Sequence, residues 1–160
     1  MSTPKLKPDS PEISQFVERA SKELGGVPLP VPKDVCAFGD SPELQDELLA
    51  LVLAGTKRAT ADWPIQDPLP WGVGDISVAL DGKGLPAAIF RTIELVPTRF
   101  RDVDAQFAFD EGEGDKSLGW WRDAHTKYFL RQDPSFTDDA IVLCERFELV
   151  YPPISAVTNS

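Results

Sequence analysis

Apolar residues recur along this chain with two periods, and each change of period marks the start of a new element. Ile13, Phe16, Val17, Ala20 and Leu24 fall at helical spacing from Glu12 to Leu24, and Gly25-Gly26 ends the pattern. A second stripe, Leu44, Leu48, Leu51 and Val52 widened by Leu49 and Leu53, has Gln45, Asp46 and Glu47 opposite and must be buried. Its start is over-determined: Asp40 or Ser41 caps it, Pro42 suits a first turn, and Glu43 sets a carboxylate at the positive end of the dipole. Gly55 can turn left-handed at its end, releasing Thr56 to Thr60 in a new direction. Val35–Phe38 reads as a short strand. Ile76–Leu80 and Pro86–Val96, joined by Asp81-Gly-Lys-Gly84, read as a β-hairpin. Val103, Phe107 and Ala108 suggest a short helix, and Leu118, Trp121, His125 and Phe129 share one face of a helix from about Lys116 to Leu130. Ala140–Tyr151 closes the chain as a β-branched and aromatic strand. The expected fold class is α+β, a small β-barrel decorated by about three to four helices.

Prolines supply the punctuation. Val27–Lys33 is an extended connection, and Trp63-Pro-Ile-Gln-Asp-Pro-Leu-Pro-Trp71 is a loop bearing two tryptophans, because its prolines remove donors and force extended geometry. The expected organisation is a disordered tail over residues 1–11, one domain over 12–152, and a polar tail over 153–160. With 160 residues and 42% hydrophobic side chains, the chain is long enough for one well-filled core. It has no apolar run long enough to span a bilayer and its first residues lack a secretion signal's apolar centre, so a cytoplasmic location is expected. Cys36 and Cys144 stand far apart without a Cys-x-x-Cys pair, which points to two reduced thiols and no zinc.

A formal net charge of −10 changes the choice of partner, because affinity for nucleic acid comes mainly from phosphate neutralisation. Double-stranded DNA is not an expected partner, and a small ligand is favoured over a long polymer. A locally positive groove would have to draw on Lys57, Arg58, Arg91, Arg99 and Arg101. Arg91 falls on the face of its strand shared with Ile89 and Ile93, so it must reach a rim or a carboxylate.

Candidate chemistry concentrates in two places. Lys57 and Thr60 follow the central helix, and the turn Asp110-Glu-Gly-Glu-Gly-Asp115 gathers four carboxylates. These acids lack the spaced ligands of a calcium loop, and neither Gly72-Val-Gly74 nor Gly112-Glu-Gly114 is a phosphate cradle, so no metal and no cofactor are expected. Asp115 or Ser117 can cap the following helix. A hydrolase needs a nucleophile, a base and a donor where negative charge develops, and Thr60, Lys57 and an acid such as Glu111 supply one candidate of each kind. Trp63 and Trp71 serve either as loop anchors or as a flat wall on which a base stacks. His125, the single histidine, reads as a hydrogen-bonded core residue and not a catalytic base.

The run Gly55-Thr-Lys-Arg-Ala-Thr60 after the helix opened by Phe38-Gly-Asp-Ser-Pro42 resembles the ASCH domain, a small β-barrel family related to the PUA RNA-binding domain. Phe107–Leu118, Trp121-Arg122, His125 and Cys144-Glu-Arg-Phe147 continue the resemblance, which covers roughly residues 36 to 152. It implies an amidohydrolase of N4-acylated cytidine-type nucleosides, with Lys57, Thr60 and Glu111 as the catalytic set. Glu113 is the alternative acid. Arg58, Trp63, Trp71, Arg91, Glu113 and Ser117 are the expected substrate-binding residues. Two other activities are open: a ribonuclease on single-stranded RNA with Lys57 at the phosphate and Thr60 or Ser117 nearby, and a non-catalytic RNA- or nucleotide-binding module. Lys57 follows the negative end of a helix, which favours its ammonium form and opposes a role as base unless burial intervenes. In an ideal strand Lys57 and Thr60 would face opposite ways, so the turn at Gly55 has to extend past Lys57.

Overall fold

The computed structural model describes residues 6–154. Helix α1 (Pro11–Glu23) leads to β1 (Asp34–Cys36), α2 (Pro42–Leu53) and β2 (Ala59–Asp62); β3 (Ile76–Leu80) and β4 (Pro86–Arg99) form the hairpin, and α3 (Ala105–Glu111), α4 (Leu118–Gln132) and β5 (Ile141–Tyr151) complete the fold. The expected elements are all present. The tails expected at residues 1–11 and 153–160 fall partly outside the described residues; within them, Ser10 and Lys7 form a turn that opens α1.

The strands form a mixed five-stranded sheet in the order β1-β3-β4-β5-β2, with β1 parallel to β3 and the remaining pairs antiparallel. Alternation along β3 explains its complete burial. Ile76, Val78 and Leu80 pack with Ile13, Phe16, Val17 and Ala20 of α1, whereas Ala79 packs with Leu48, Leu49 and Val52 of α2. A strand covered on both faces is apolar on both. A third cluster joins Trp121 and Phe129 of α4 and Phe107 of α3 to Val142 and Cys144 of β5.

Two register shifts between the long strands β4 and β5 bend the sheet, as bulges do. No strand pairing joins the edges β1 and β2 among the described residues. Instead both edges line one cavity, Asp34 and Cys36 from β1 and Thr60 and Asp62 from β2, with His125, Tyr128 and Arg131 of α4 completing the wall. The barrel is therefore open along this seam, and the opening is where the polar side chains collect. No helix of the described residues is long and apolar enough to cross a membrane.

Candidate active site

The end of α2 and the end of α3 build the site between them. Ser41 caps α2 through Leu44 N–H, and Gly55 ends it at φ +78°. Thr56 and Lys57 N–H both donate to Leu51 O, so the helical turn extends past Gly55 and delivers Lys57 inward before β2 begins. The requirement set by the sequence is met: Lys57 and Thr60 line the same cavity. Arg58 N–H donates to Asp110 O at 2.8 Å, and Phe147 N–H donates to Arg58 O at 3.0 Å, which ties this loop to α3 and β5. Gly112 ends α3 at φ +71°, and a Cβ there would collide with the backbone carbonyl of Thr56. Only glycine allows the acidic turn to lie this close to the Lys57 loop.

Lys57 Nζ lies 2.8 Å from Glu111 Oε1, 2.7 Å from Glu113 Oε2 and 2.8 Å from Ala59 O. An ammonium has three N–H donors, and these acceptors take all three. Glu111 Oε2 accepts from Trp121 Nε1 at 2.7 Å and lies 3.3 Å from His125 Nε2. His125 stacks on Trp121 with ring centroids 4.2 Å apart, and its Nδ1 is 2.9 Å from Trp121 O. Both imidazole nitrogens thus face oxygen acceptors, an arrangement that suits the imidazolium.

The charges follow from these contacts. Burial by itself would raise the Glu111 pKa, but Lys57 and His125 outweigh it and hold this carboxyl well below its usual range. Burial would lower both cations, yet Glu111 and Glu113 raise Lys57, and Glu111 raises His125. Glu113 goes the other way: burial, with Glu111 beside it, pushes it up against the pull of Lys57. The two acids thus shift in opposite directions. Both acids line the cavity, the Glu111 side chain 1% exposed and that of Glu113 12%. Lys57 is an ammonium and not a free base.

The cavity has a volume of about 430 Å³, within the usual range for small-molecule sites. Glu111, Glu113 and His125 also offer ligand atoms within 4.8 Å of one another, the one grouping among the described residues that could hold a metal ion. The ammonium of Lys57 already bridges its two carboxylates.

A sequence model of the ASCH domain matches residues 34–151. The chain belongs to the ASCH domain family. The crystal structure of an ASCH domain from Lactobacillus crispatus JV V101 is similar at 28% identity and TM-score 0.72, covering 87% of this chain and 91% of that one. Protein EF3133 from Enterococcus faecalis V583 is similar at the same identity and TM-score, over 87% and 92% of the two chains. The hypothetical protein PH0355 shares the fold at 16% identity and TM-score 0.51, over 72% of this chain and 96% of that one. A search of curated proteins finds no match.

Within this ASCH domain the expected site residues separate into two groups. Lys57, Thr60, Trp71, Glu111 and Glu113 line the cavity. Trp63 does not: its ring packs edge-on against Phe129 and Phe136, as a loop anchor. Arg58 turns away to Asp110 at 2.9 Å, Arg91 meets Glu148 at 3.3 Å across the β4–β5 pairing, and Ser117 caps α4 through Trp120 N–H. Each satisfies a local need, an ion pair or a helix end, that sequence position alone does not reveal.

The sequence reading missed Asp34, Asp62 and Glu145, all on the cavity wall. Burial pushes Asp34 and Asp62 up to about 6, with Glu111 adding at Asp62, and pushes Glu145 up to about 7. A signal existed for Glu145, a carboxylate inside the apolar run Ile141–Tyr151. An acid in such a strand needs a polar partner, and Thr92 Oγ1 donates to its Oε2 at 2.6 Å.

Proposed function

We propose that the cavity hydrolyses the amide of an N4-acylated cytidine-type nucleoside. The observation that carries this reading is Lys57 bridging Glu111 and Glu113, with Thr60 beside them, at the wall of a nucleoside-sized cavity. Two carboxyl groups held by one ammonium are an arrangement that general acid–base catalysis can use.

In the proposed reaction Thr60 orients a water molecule, and Glu113 takes its proton as the oxygen attacks the acyl carbon. The raised pKa of Glu113 matches this task, since a stronger base accepts the proton more readily near neutral pH. Protonation weakens Glu113 as an acceptor from Lys57. One ammonium N–H is then released at the moment negative charge develops on the carbonyl oxygen. Collapse breaks the C–N bond, and Glu113 returns the proton to the leaving amino nitrogen. The products are a carboxylic acid and the free aminopyrimidine. Glu111 remains ionised throughout, holding Lys57 and His125 charged.

A second reading, a binding module that leaves its ligand intact, is favoured by one observation: the three Lys57 donors are already filled. The ribonuclease reading has less support, because the acids around Lys57 oppose a phosphate and Ser117 is engaged at the α4 cap. The deciding experiment is product analysis by mass of N4-acetylcytidine and of a short single-stranded RNA, each with wild-type protein, Lys57→Ala and Glu113→Gln. Deacetylation by wild type and its loss in both variants is the expected result. Intact substrates with measurable cytidine binding would replace the hydrolase by the binding module.

A further inference from the structure

A second polar grouping shares the cavity with Lys57 and has no part in the reaction above. Glu145 lies in β5 directly across from Thr60 in the β2 pairing, and 2% of its surface is exposed. Thr92 of β4 holds its Oε2 at 2.6 Å. Trp71, 8% exposed, reaches the same wall from the proline-rich loop, and its Nε1 is buried without a hydrogen-bond partner among the described residues. Burial holds the proton on Glu145, and the indole N–H is near enough to offset a little of that, yet it makes no bond of normal geometry to the carboxyl. A buried, unpartnered N–H is costly, and most indole N–H groups in protein interiors have an acceptor. Phe38 and Phe90, whose ring centroids lie 5.5 Å apart, supply apolar wall in the same cavity. A flat ligand can lie against such rings.

We propose that Glu145 and Trp71 form a base-recognition edge for an aminopyrimidine, the Glu145 carboxyl accepting the exocyclic N–H and the Trp71 indole N–H donating to the ring carbonyl oxygen. This assignment rests on the hydrolase reading for the identity of the substrate and adds how that substrate is chosen. Once ionised, the Glu145 carboxylate offers acceptors only, so it fits an amino group at the 4-position and faces a carbonyl badly, because two acceptors repel and one is left desolvated. Cytidine is therefore preferred over uridine. Thr92 fixes the carboxyl in place, so the discrimination is built into the sheet and needs no ordering of a surface side chain.

The test uses cytidine and uridine, which carry no acyl group and are not turned over, so that binding is read separately from hydrolysis. Isothermal titration of the full chain with each nucleoside is repeated for Trp71→Phe and Glu145→Gln, with thermal melting of each variant as the check on folding. At pH 8, above the value at which Glu145 loses its proton, wild type is expected to bind cytidine more tightly than uridine, and the Trp71 indole N–H resonance to move on adding cytidine. Trp71→Phe loses affinity for both nucleosides by about tenfold, the scale of one buried hydrogen bond. Glu145→Gln, which keeps the volume and the Thr92 contact but carries both a donor and an acceptor, removes the preference for cytidine. Equal binding of the two nucleosides by wild type, no binding of either, or an unchanged preference in folded Glu145→Gln would overturn the assignment. Selective cytidine binding without any deacetylation would reject the hydrolase and leave this edge standing. Deacetylation with an unchanged KM in both folded variants would do the reverse.

Discussion

Lys57 Nζ and Glu111 Oε1 lie 2.8 Å apart, come from positions 54 residues distant in sequence, and have side chains that are each 1% exposed. Neither charge could be buried alone. Replacing Lys57 by Ala leaves two carboxylates facing each other without their shared cation, and loss of one partner from a buried pair costs about 3–5 kcal/mol. Urea unfolding of Lys57→Ala is expected to show that loss, and Glu111→Gln in the same chain to restore part of it. A stability equal to wild type would mean that the pair is not buried in solution.

The two acids should separate in their phenotypes. Glu111→Gln unsettles Lys57, Trp121 and His125 together, so its unfolding midpoint falls with its activity. Glu113→Gln leaves that network standing and removes the base, so the rate of deacetylation falls by about a hundredfold or more while the midpoint changes little. The opposite assignment, with Glu113→Gln unstable and Glu111→Gln active, would exchange their roles.

Gly112→Ala is expected to destabilise by more than about 1 kcal/mol, since φ is positive there and the added Cβ meets the Thr56 carbonyl. The damage also reaches Lys57, whose loop must retreat, so ligand affinity falls. Gly74→Ala, likewise at positive φ but with open space around it, is the control for backbone strain alone.

The dependence of stability on pH has a definite sign. Glu145 keeps its proton to about 7 in the folded chain against an ordinary value of 4.5. Over that interval the folded state binds more protons than the unfolded state, so stability falls as pH rises. His125 acts in the same direction: its raised pKa gives stability that is present below 6.5 and is lost as pH rises through the folded value. Glu111, depressed by Lys57 and His125, gives stability that is present above 4.5 and is lost as pH falls through its folded value. Urea midpoints measured from pH 4.5 to 7 are expected to decline for wild type and to decline less for Glu145→Gln. Parallel slopes would exclude Glu145 as a source.

Ser117→Ala should cost about 1 kcal/mol through the lost α4 cap and leave nucleoside affinity unchanged. Arg91→Ala should also leave affinity unchanged, since it removes a partly exposed pair with Glu148. A marked loss of affinity in either variant, measured by titration with cytidine, would bring that residue back into the site.

The sequence by itself determined the elements and the entrance to the site. Periods of 3.6 and 2 record which face of a segment is buried, and caps, glycines and prolines fix where each segment ends, so α2, its exit at Gly55, the β3–β4 hairpin and the strand Ile141–Tyr151 could all be read locally. The run Gly55–Thr60 and the acidic turn also marked the two chain segments that meet. Only the tertiary structure decided which polar groups face one another. It assigned Trp71 to the cavity and Trp63 to the core, turned Arg58, Arg91 and Ser117 to local partners, and set Glu145 across from Thr60. The reason is physical: burial of an apolar face leaves a periodic trace in the sequence, whereas the partner of a buried charge is set by strand register and helix-end geometry between segments far apart in the chain.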